Sequence, residues 1–311
     1  MDIVFVRSAF FGARNKGRSG NHMSGRIVEL AVIGAMVAGT ISTPLSAATH
    51  KDLRFNVAPK AGVIVNNPYG SISLKPSTGN VVIVSANLAS DKVEIDNNFI
   101  GNRVELQSHL LPGADAQSGK VDYEILVPAD ASVTLHSTAG VLRAEKLRGD
   151  LTLEGAGATV DLRDMTDAHV HIKTLNGPVT LTNVLDGHVE VDSLSGNVTL
   201  NGVTGPLVQV ISTSGQINYV GDFGDRGEYR LTSHSGDIVA VVPDTTSADV
   251  SARSVRGEVH DDVPLQPRQH TSFVIKEGSA FWGSMGRAAV SSTVVLRSFS
   301  GKIHLRKRSA K

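Results

Sequence analysis

Four side chains in the middle of the chain have the types and spacing of a metal site. His169 and His171 are separated by one residue, so on a β-strand they would project from the same face. His188 and Glu190 repeat this spacing 19 residues later. If the two segments are neighbouring strands about 4.8 Å apart, the four side chains form a two-by-two patch that can bind zinc. On a flat, open surface they would instead be solvated, and we therefore assign no metal-binding residues.

Seven hydroxyl side chains recur along the chain, each three residues before a glycine. They are Ser137, Thr174, Ser193, Ser212, Ser233, Ser254 and Ser298. A nucleophile needs one hydroxyl that is activated by an adjacent base. A repeated hydroxyl is more typical of a turn, where it bonds backbone groups that would otherwise be buried without a partner. We therefore predict no catalytic residue among them.

The chain contains none of the common enzyme motifs. It has no Gly-x-Ser-x-Gly elbow, P-loop, dinucleotide fingerprint or His-Glu-x-x-His sequence. It has no cysteine, which excludes disulfides, thiolate metal sites and cysteine nucleophiles. The 30 basic and 30 acidic residues balance, so no overall charge favours nucleic acid. We predict a protein that is not an enzyme and has no cofactor, no cofactor-binding residues and no nucleic-acid partner.

The elements that would position these side chains are short strands in a repeated phrase. Each copy has an apolar pair at i and i+2, Ser or Thr at i+4, Gly at i+7 and a second apolar pair at i+9 and i+11. One copy is Val189, Val191, Ser193, Gly196, Val198 and Leu200. The repeat glycines are Gly140, Gly177, Gly196, Gly215, Gly236, Gly257 and Gly301, with a distorted copy at Gly157.

Two strands per unit of about 20 residues predict a stacked β architecture. The fold class that we expect is all-β: a β-solenoid similar to a single-stranded parallel β-helix, with its coils stacked in chain order around one apolar interior. The glycines are expected where a tight turn needs a positive φ. Polar residues between the apolar ones would face water, including a flat row of Thr180, Thr199 and Asn218. Such rows occur on glycan-contacting surfaces, and also simply because Thr and Asn stack well.

The chain divides into four segments. Residues 1–48 have the positive charges, short apolar run and small residues of an export signal, with cleavage expected after Ala48 and with Met23 as an alternative start. Residues 49–130 are expected to form irregular β coils and 131–305 the regular coils, and residues 306–311 a basic tail. After signal cleavage no transmembrane segment is expected.

The interval of 44 residues between the last two repeat glycines equals two periods of about 22. It contains a glycine-rich loop, 277–286, that includes Phe281 and Trp282. This loop could cover the side or end of the solenoid, or it could protrude and bind a partner.

From about Leu53 to Leu305 the chain resembles the DUF4097 family of bacterial adhesin-like proteins, which is close to the head-GIN autotransporter-adhesin-like proteins. The features that carry the resemblance are Asn67–Ile72, Val121–Pro128, Leu194–Val198, Thr213–Ile217 and Ser298–Ile303. The resemblance implies a β-helix-like solenoid on the envelope or outside the cell, with no known catalytic residues.

Three functions remain open at this point. The first is an exported, non-catalytic adhesin or cell-envelope scaffold, located in the periplasm or on the outer surface, whose partner is an envelope or extracellular protein or glycan. The second is a periplasmic accessory module of an envelope signalling system. The third is a polysaccharide-acting enzyme, but its candidate carboxylates show no evident pairing: Glu190, Asp192, Asp237 and Glu258. We therefore favour the first function.

Overall fold

The computed structural model describes residues 49–266, 275–277, 280–286 and 291–308. The predicted export signal lies outside these residues. All regular elements of the described part are strands, 25 in number. In the N-terminal part these are β1 (Thr49–Asn56), β2 (Gly62–Asn66), β3 (Tyr69–Pro76), β4 (Val81–Leu88), β5 (Val93–Ile100), β6 (Arg103–Leu110) and β7 (Val121–Val127).

The regular coils follow. Their strands are β8 (Ser132–Ser137), β9 (Ala139–Glu145), β10 (Asp150–Gly155), β11 (Thr159–Thr166), β12 (His169–Thr174), β13 (Val179–Leu185), β14 (His188–Ser193), β15 (Val198–Asn201), β16 (Leu207–Ser212), β17 (Ile217–Val220), β18 (Glu228–Ser233) and β19 (Ile238–Val242). The remaining strands are β20 (Ala248–Ser254), β21 (Val259–Asp261), β22 (Ile275–Glu277), β23 (Ala280–Met285), β24 (Ser292–Ser298) and β25 (Ile303–Lys307).

The strands form two long sheets, and each regular coil contributes one strand to each of them. Sheet 1 has the order β1-β4-β7-β3-β9-β11-β13-β15-β17-β19-β25-β21. Sheet 2 has the order β22-β23-β20-β24-β18-β16-β14-β12-β10-β8-β2-β6-β5. Neighbouring regular coils are parallel and in register, so that Val191 pairs with Val210 and Val210 with Leu231.

The inner faces of the two sheets share one apolar core. Val191, Val210 and Leu231 are each at most 1% exposed and belong to the same core cluster. Residues between them point outward, as the alternation of the phrase predicts. The predicted β-solenoid is therefore confirmed, in the form of two facing sheets.

The reason for the repeat glycines differs from the prediction. Among them only Gly140 has a positive φ, of 130°. The others lie directly over one another, and a Cβ at Gly196 would overlap the backbone carbonyl of Gly177 in the preceding coil. In the distorted copy around Gly157, the residue that stacks under Gly177 is Ala158, whose carbonyl would overlap a Cβ at Gly177. The glycines are needed because the corners stack too closely for a side chain, not because of a left-handed turn.

The repeated hydroxyls have the structural role that was predicted. The Ser193 hydroxyl donates to the carbonyl of Gly196 at 2.8 Å, and the N–H of Gly236 donates to the Ser233 hydroxyl at 2.8 Å. These groups lie in the corner between a strand of sheet 2 and the next strand of sheet 1, where water is excluded. Each hydroxyl therefore satisfies backbone groups of its own corner.

The order of the last coils corrects the prediction of stacking in chain order. The C-terminal coil, formed by β24 and β25, lies between the coil of β18 and β19 and the coil of β20 and β21. The other edge of β20 pairs antiparallel with β23. That side is therefore occupied, and the last coil inserts on the opposite side of β20. The 44-residue interval is consequently not two regular periods.

The aromatic segment before the C-terminal coil is also different from the prediction. Residues 280–285, expected in a loop, form strand β23 against β20. Phe281 is buried in the core, and Trp282 is 40% exposed on the outer side. Arg306 and Lys307, expected in the basic tail, are the last residues of β25.

The N-terminal strands close the other end of the solenoid. Strands β2 and β3 form a coil parallel to β8 and β9, and Gly70 pairs in register with Gly140. Strand β4 is antiparallel to both β1 and β7, and β5 and β6 form an antiparallel pair at the end of sheet 2. Among the described residues no helix has the length and apolar character needed to cross a membrane.

Candidate binding surface

The structure brings the predicted histidine patch together on the outer face of sheet 2. His169 pairs in register with His188, and His171 with Glu190. The rings of His169 and His188 meet edge to face, with their centroids 5.6 Å apart. The two-by-two arrangement that the spacing predicts is therefore present.

The carboxylate of Glu190 is already held by two rings of this patch. Its Oε1 lies 3.2 Å from His188 Nε2, and its Oε2 lies 3.1 Å from His171 Nδ1. The hydrogen bond from His188, followed by that from His171, lowers the pKa of Glu190. His169 lies 3.2 Å from Asp150. Within the described part of the chain, no three His, Asp or Glu side chains are grouped so that they could hold a metal ion.

A groove of about 670 Å³ runs beside this patch, along the corner where sheet 2 turns into sheet 1. We call it the corner groove, and it crosses the coils that begin with β8, β10, β12, β14 and β16. It is long and parallel to the stacking direction because every coil repeats the same corner. A shape of this kind suits an extended or ridged partner better than a small molecule, which favours enclosed cavities.

One wall of the corner groove carries basic and acidic side chains in alternation. His136, Glu154, Lys173 and Asp192 occupy the same position on four consecutive strands. The Nδ1 atom of His136 lies 3.2 Å from the Glu154 carboxylate. Alternation places opposite charges on adjacent strands and avoids repulsion within the face.

The other wall is apolar and exposed. Leu175 and Leu194 follow the corner hydroxyls of their coils and are 52% and 49% exposed. Ile211, which is 45% exposed, pairs in register with Asp192 and extends the charged wall on β16. Between the two leucines and β8 the corner has only Gly155 and Ala156, which leave a depression in the groove. Clustered exposed apolar side chains with a charged border are typical of interaction sites.

The hydroxyls that line the groove are not arranged for catalysis. Thr174 donates to the carbonyl of Gly177 at 3.2 Å, and Ser193 donates to that of Gly196. Their protons are thus directed to corner backbone, whereas a nucleophile requires a neighbouring base. The groove offers contacts and charges for binding.

The corner groove was not predicted from the sequence. The residue directly after the corner hydroxyl could have indicated the groove. It is leucine in two coils, Leu175 and Leu194, but threonine in the next, Thr213. That position is outside the alternation of the strand, so periodicity alone does not identify it as exposed.

The outer face of sheet 1 carries the predicted polar row. Thr180 pairs in register with Thr199, and Thr199 with Asn218. The row is half-buried. It provides a matched comparison surface for the groove, since it belongs to the same coils.

The chain is similar to known proteins at the level of a family. No curated protein matches it. A crystal structure of a putative cell adhesion protein from Clostridium sporogenes ATCC 15579 is 12% identical and covers 84% of this chain and 100% of its own, with a TM-score of 0.30. The family model described as Toastrack DUF4097 matches residues 60–280, more than half of the chain. The chain therefore belongs to the Toastrack DUF4097 family.

Proposed function

We propose that this chain is an exported adhesin or scaffold protein of the cell envelope, which acts by binding through the corner groove and does not catalyse a reaction. The observation that carries the proposal is the groove itself, with its exposed leucines beside an ordered row of charges. A solenoid with fixed corners holds such a surface rigidly over many coils, so little conformational entropy is lost on binding.

Export is supported by the character of residues 1–48. Strand β1 begins at Thr49, directly after the expected cleavage site at Ala48. Cleavage there would leave all 25 described strands intact. We place the mature protein in the periplasm or on the outer cell surface.

The pKa values of the outward carboxylates favour binding over polysaccharide cleavage. A general acid needs a raised pKa. The pKa of Glu190 is lowered, and the pKa of Glu258 is lowered by hydrogen bonds from Lys302 and His260. Asp237 accepts a hydrogen bond from the N–H of Lys302 at 2.7 Å. Glu190 and Glu258 are therefore stabilised as anions and poorly suited to donate a proton.

The proposal predicts that the double variant Leu175→Asp/Leu194→Asp loses binding to cell envelopes. Two carboxylates on the apolar wall would have to be desolvated on contact, so retention on isolated envelopes should fall at least tenfold. Co-sedimentation of the purified chain with envelopes from cells that lack it gives the measurement. The matched control is Thr180→Asp/Thr199→Asp, which puts the same charges on sheet 1 of the same coils and should bind like the wild type.

Two results would contradict the proposed function. One is the release of oligosaccharides when the chain is incubated with a panel of envelope polysaccharides. The other comes from adding protease to intact cells and to cells whose outer membrane is permeabilised. If the chain is fully protected in both, it lies in the cytoplasm.

A further inference from the structure

We propose that the corner groove also binds a second copy of this chain, which competes with the envelope for it and packs antiparallel so that the outer faces of the two sheets 2 meet. The inference rests on the proposed function of the groove as a binding site. The two-fold axis runs parallel to the strands, midway between β10 and β12. It places β10 over β12 of the second copy, β8 over β14, β2 over β16, β6 over β18, and β5 over β24. The strand spacing is identical in both copies, so the rows stay in step.

The central strands place acidic side chains opposite basic ones. Under this axis Glu154 faces Lys173 of the second copy, and His136 faces Asp192 of the second copy. In the first outward row, Asp150 faces His169 of the second copy. Each contact occurs twice because the interface is isologous. Complementary charges of this kind fix the register of two partners.

The flanking strands favour this axis more specifically. A row of alternating acidic and basic side chains matches itself about any axis midway between two of its strands, whereas the side chains of the flanking strands do not alternate. Arg103 on β6 faces Glu228 of the second copy, and Glu105 faces Arg230 of the second copy. Beyond them, Asp96 on β5 faces Arg297 of the second copy on β24. Across the three outward rows of the ten strands from β5 to β24, no position brings like charges together.

Moving the axis by one strand spacing weakens this match. Midway between β8 and β10, Glu105 would face Glu190 of the second copy. Midway between β12 and β14, Lys173 would still face Asp192 of the second copy, but Glu105 would face Ser251 and Arg297 would face Asn66, so two of the three flanking charge pairs are lost. An axis on β12 itself would place Lys173 opposite Lys173 of the second copy. The arrangement between β10 and β12 is therefore favoured over its neighbours by charge.

The shape of the groove agrees with the same axis. The corner that contains Gly155 and Ala156 lies opposite the corner of the second copy that contains Leu175. The depression in one copy thus receives the exposed leucine of the other. The available area is sufficient: ten strands of about six residues present roughly 900 Å² per copy, and a stable interface needs about 800 Å² per partner.

The test is a charge swap between the two ends of sheet 2, measured by sedimentation velocity on the purified chain. Asp96 and Arg297 are nine strand spacings apart within one copy, about 43 Å, so they interact only between copies. We expect the wild type to be dimeric and each of Asp96→Arg and Arg297→Asp to raise the dimer dissociation constant at least tenfold. The double variant Asp96→Arg/Arg297→Asp should restore an almost wild-type constant. Arg143→Asp, on the outer face of sheet 1, should leave the constant unchanged.

Two outcomes would overturn the inference: a monomeric wild type at all accessible concentrations, or a dimer that is indifferent to both single reversals. Failure of the inference is distinguishable from failure of the proposed function. A monomer that still binds envelopes through Leu175 and Leu194 sinks the dimer and leaves the binding function. A dimer with a restored charge swap that cleaves polysaccharide sinks the proposed function and leaves the dimer.

Discussion

Replacement of Gly196 by alanine is expected to destabilise the protein by about 3 kcal/mol or more. The added Cβ would overlap the carbonyl of Gly177, which is backbone and accepts a hydrogen bond from the Thr174 hydroxyl, so no side chain can move aside to make room. The corner would have to separate from its neighbour, and the buried hydrogen bond between Ser193 and Gly196 would be disturbed. The free energy of unfolding from urea titration measures the effect.

The matched control is Gly157→Ala, in the adjacent distorted corner. There the nearest atom to an added Cβ is the carbonyl oxygen of Thr138 at 3.6 Å, an ordinary contact, and φ is not in the left-handed region. This variant should change the free energy of unfolding by less than about 1 kcal/mol. Equal effects of the two substitutions would show that corner stacking is not the reason for the repeat glycines.

Deletion of the C-terminal coil is expected to have the largest effect on stability. A chain that ends at Ser291 loses Val294, Leu296, Ile303 and Leu305, all four fully buried. Their burial is worth about 6–12 kcal/mol as an upper estimate. Because β24 and β25 lie inside the stack, the deletion also breaks the pairing of β20 and β21 with the rest of the solenoid. We expect a much lower thermal midpoint and a smaller denaturant slope.

The control for the deletion is a chain that ends at Arg308, which keeps β25 and removes only the last three residues. Its midpoint should equal that of the full chain. If the chain ending at Ser291 also unfolded like the full chain, the C-terminal coil would not be an interior part of the stack.

The sequence was sufficient to predict the architecture of the regular coils. Val191, Val210 and Leu231 repeat at a fixed position in the phrase, and strand alternation then requires them to share one interior. The corner hydroxyls were predictable for the same reason, since a buried turn must satisfy its backbone. Both inferences depend only on local spacing.

The order of the coils could not be predicted, because the phrase from Ser298 to Gly301 fits next to any other coil equally well. What decides its place is the pairing of β23 with β20, a contact between distant segments that has no repeat signal. The role of the glycines was misassigned because a close approach and a positive φ both select glycine. The corner groove was not predicted because Leu175 and Leu194 lie outside the strands, where strand alternation does not indicate which side chains are exposed.

The lateral order of the strands in sheet 2 underlies the buried C-terminal coil, and it also positions Arg297 on the proposed two-fold face. Disulfide formation between paired cysteines tests it most directly, and the chain has no cysteine of its own. Thr232 is paired with Arg297, so Thr232→Cys/Arg297→Cys should form a disulfide within one chain on mild oxidation. Arg253 lies one strand further, about 9.6 Å from Thr232, beyond the roughly 7 Å that a disulfide can span. Thr232→Cys/Arg253→Cys should therefore stay reduced, and the opposite outcome, with the second pair closed and the first pair open, would contradict the insertion of the C-terminal coil.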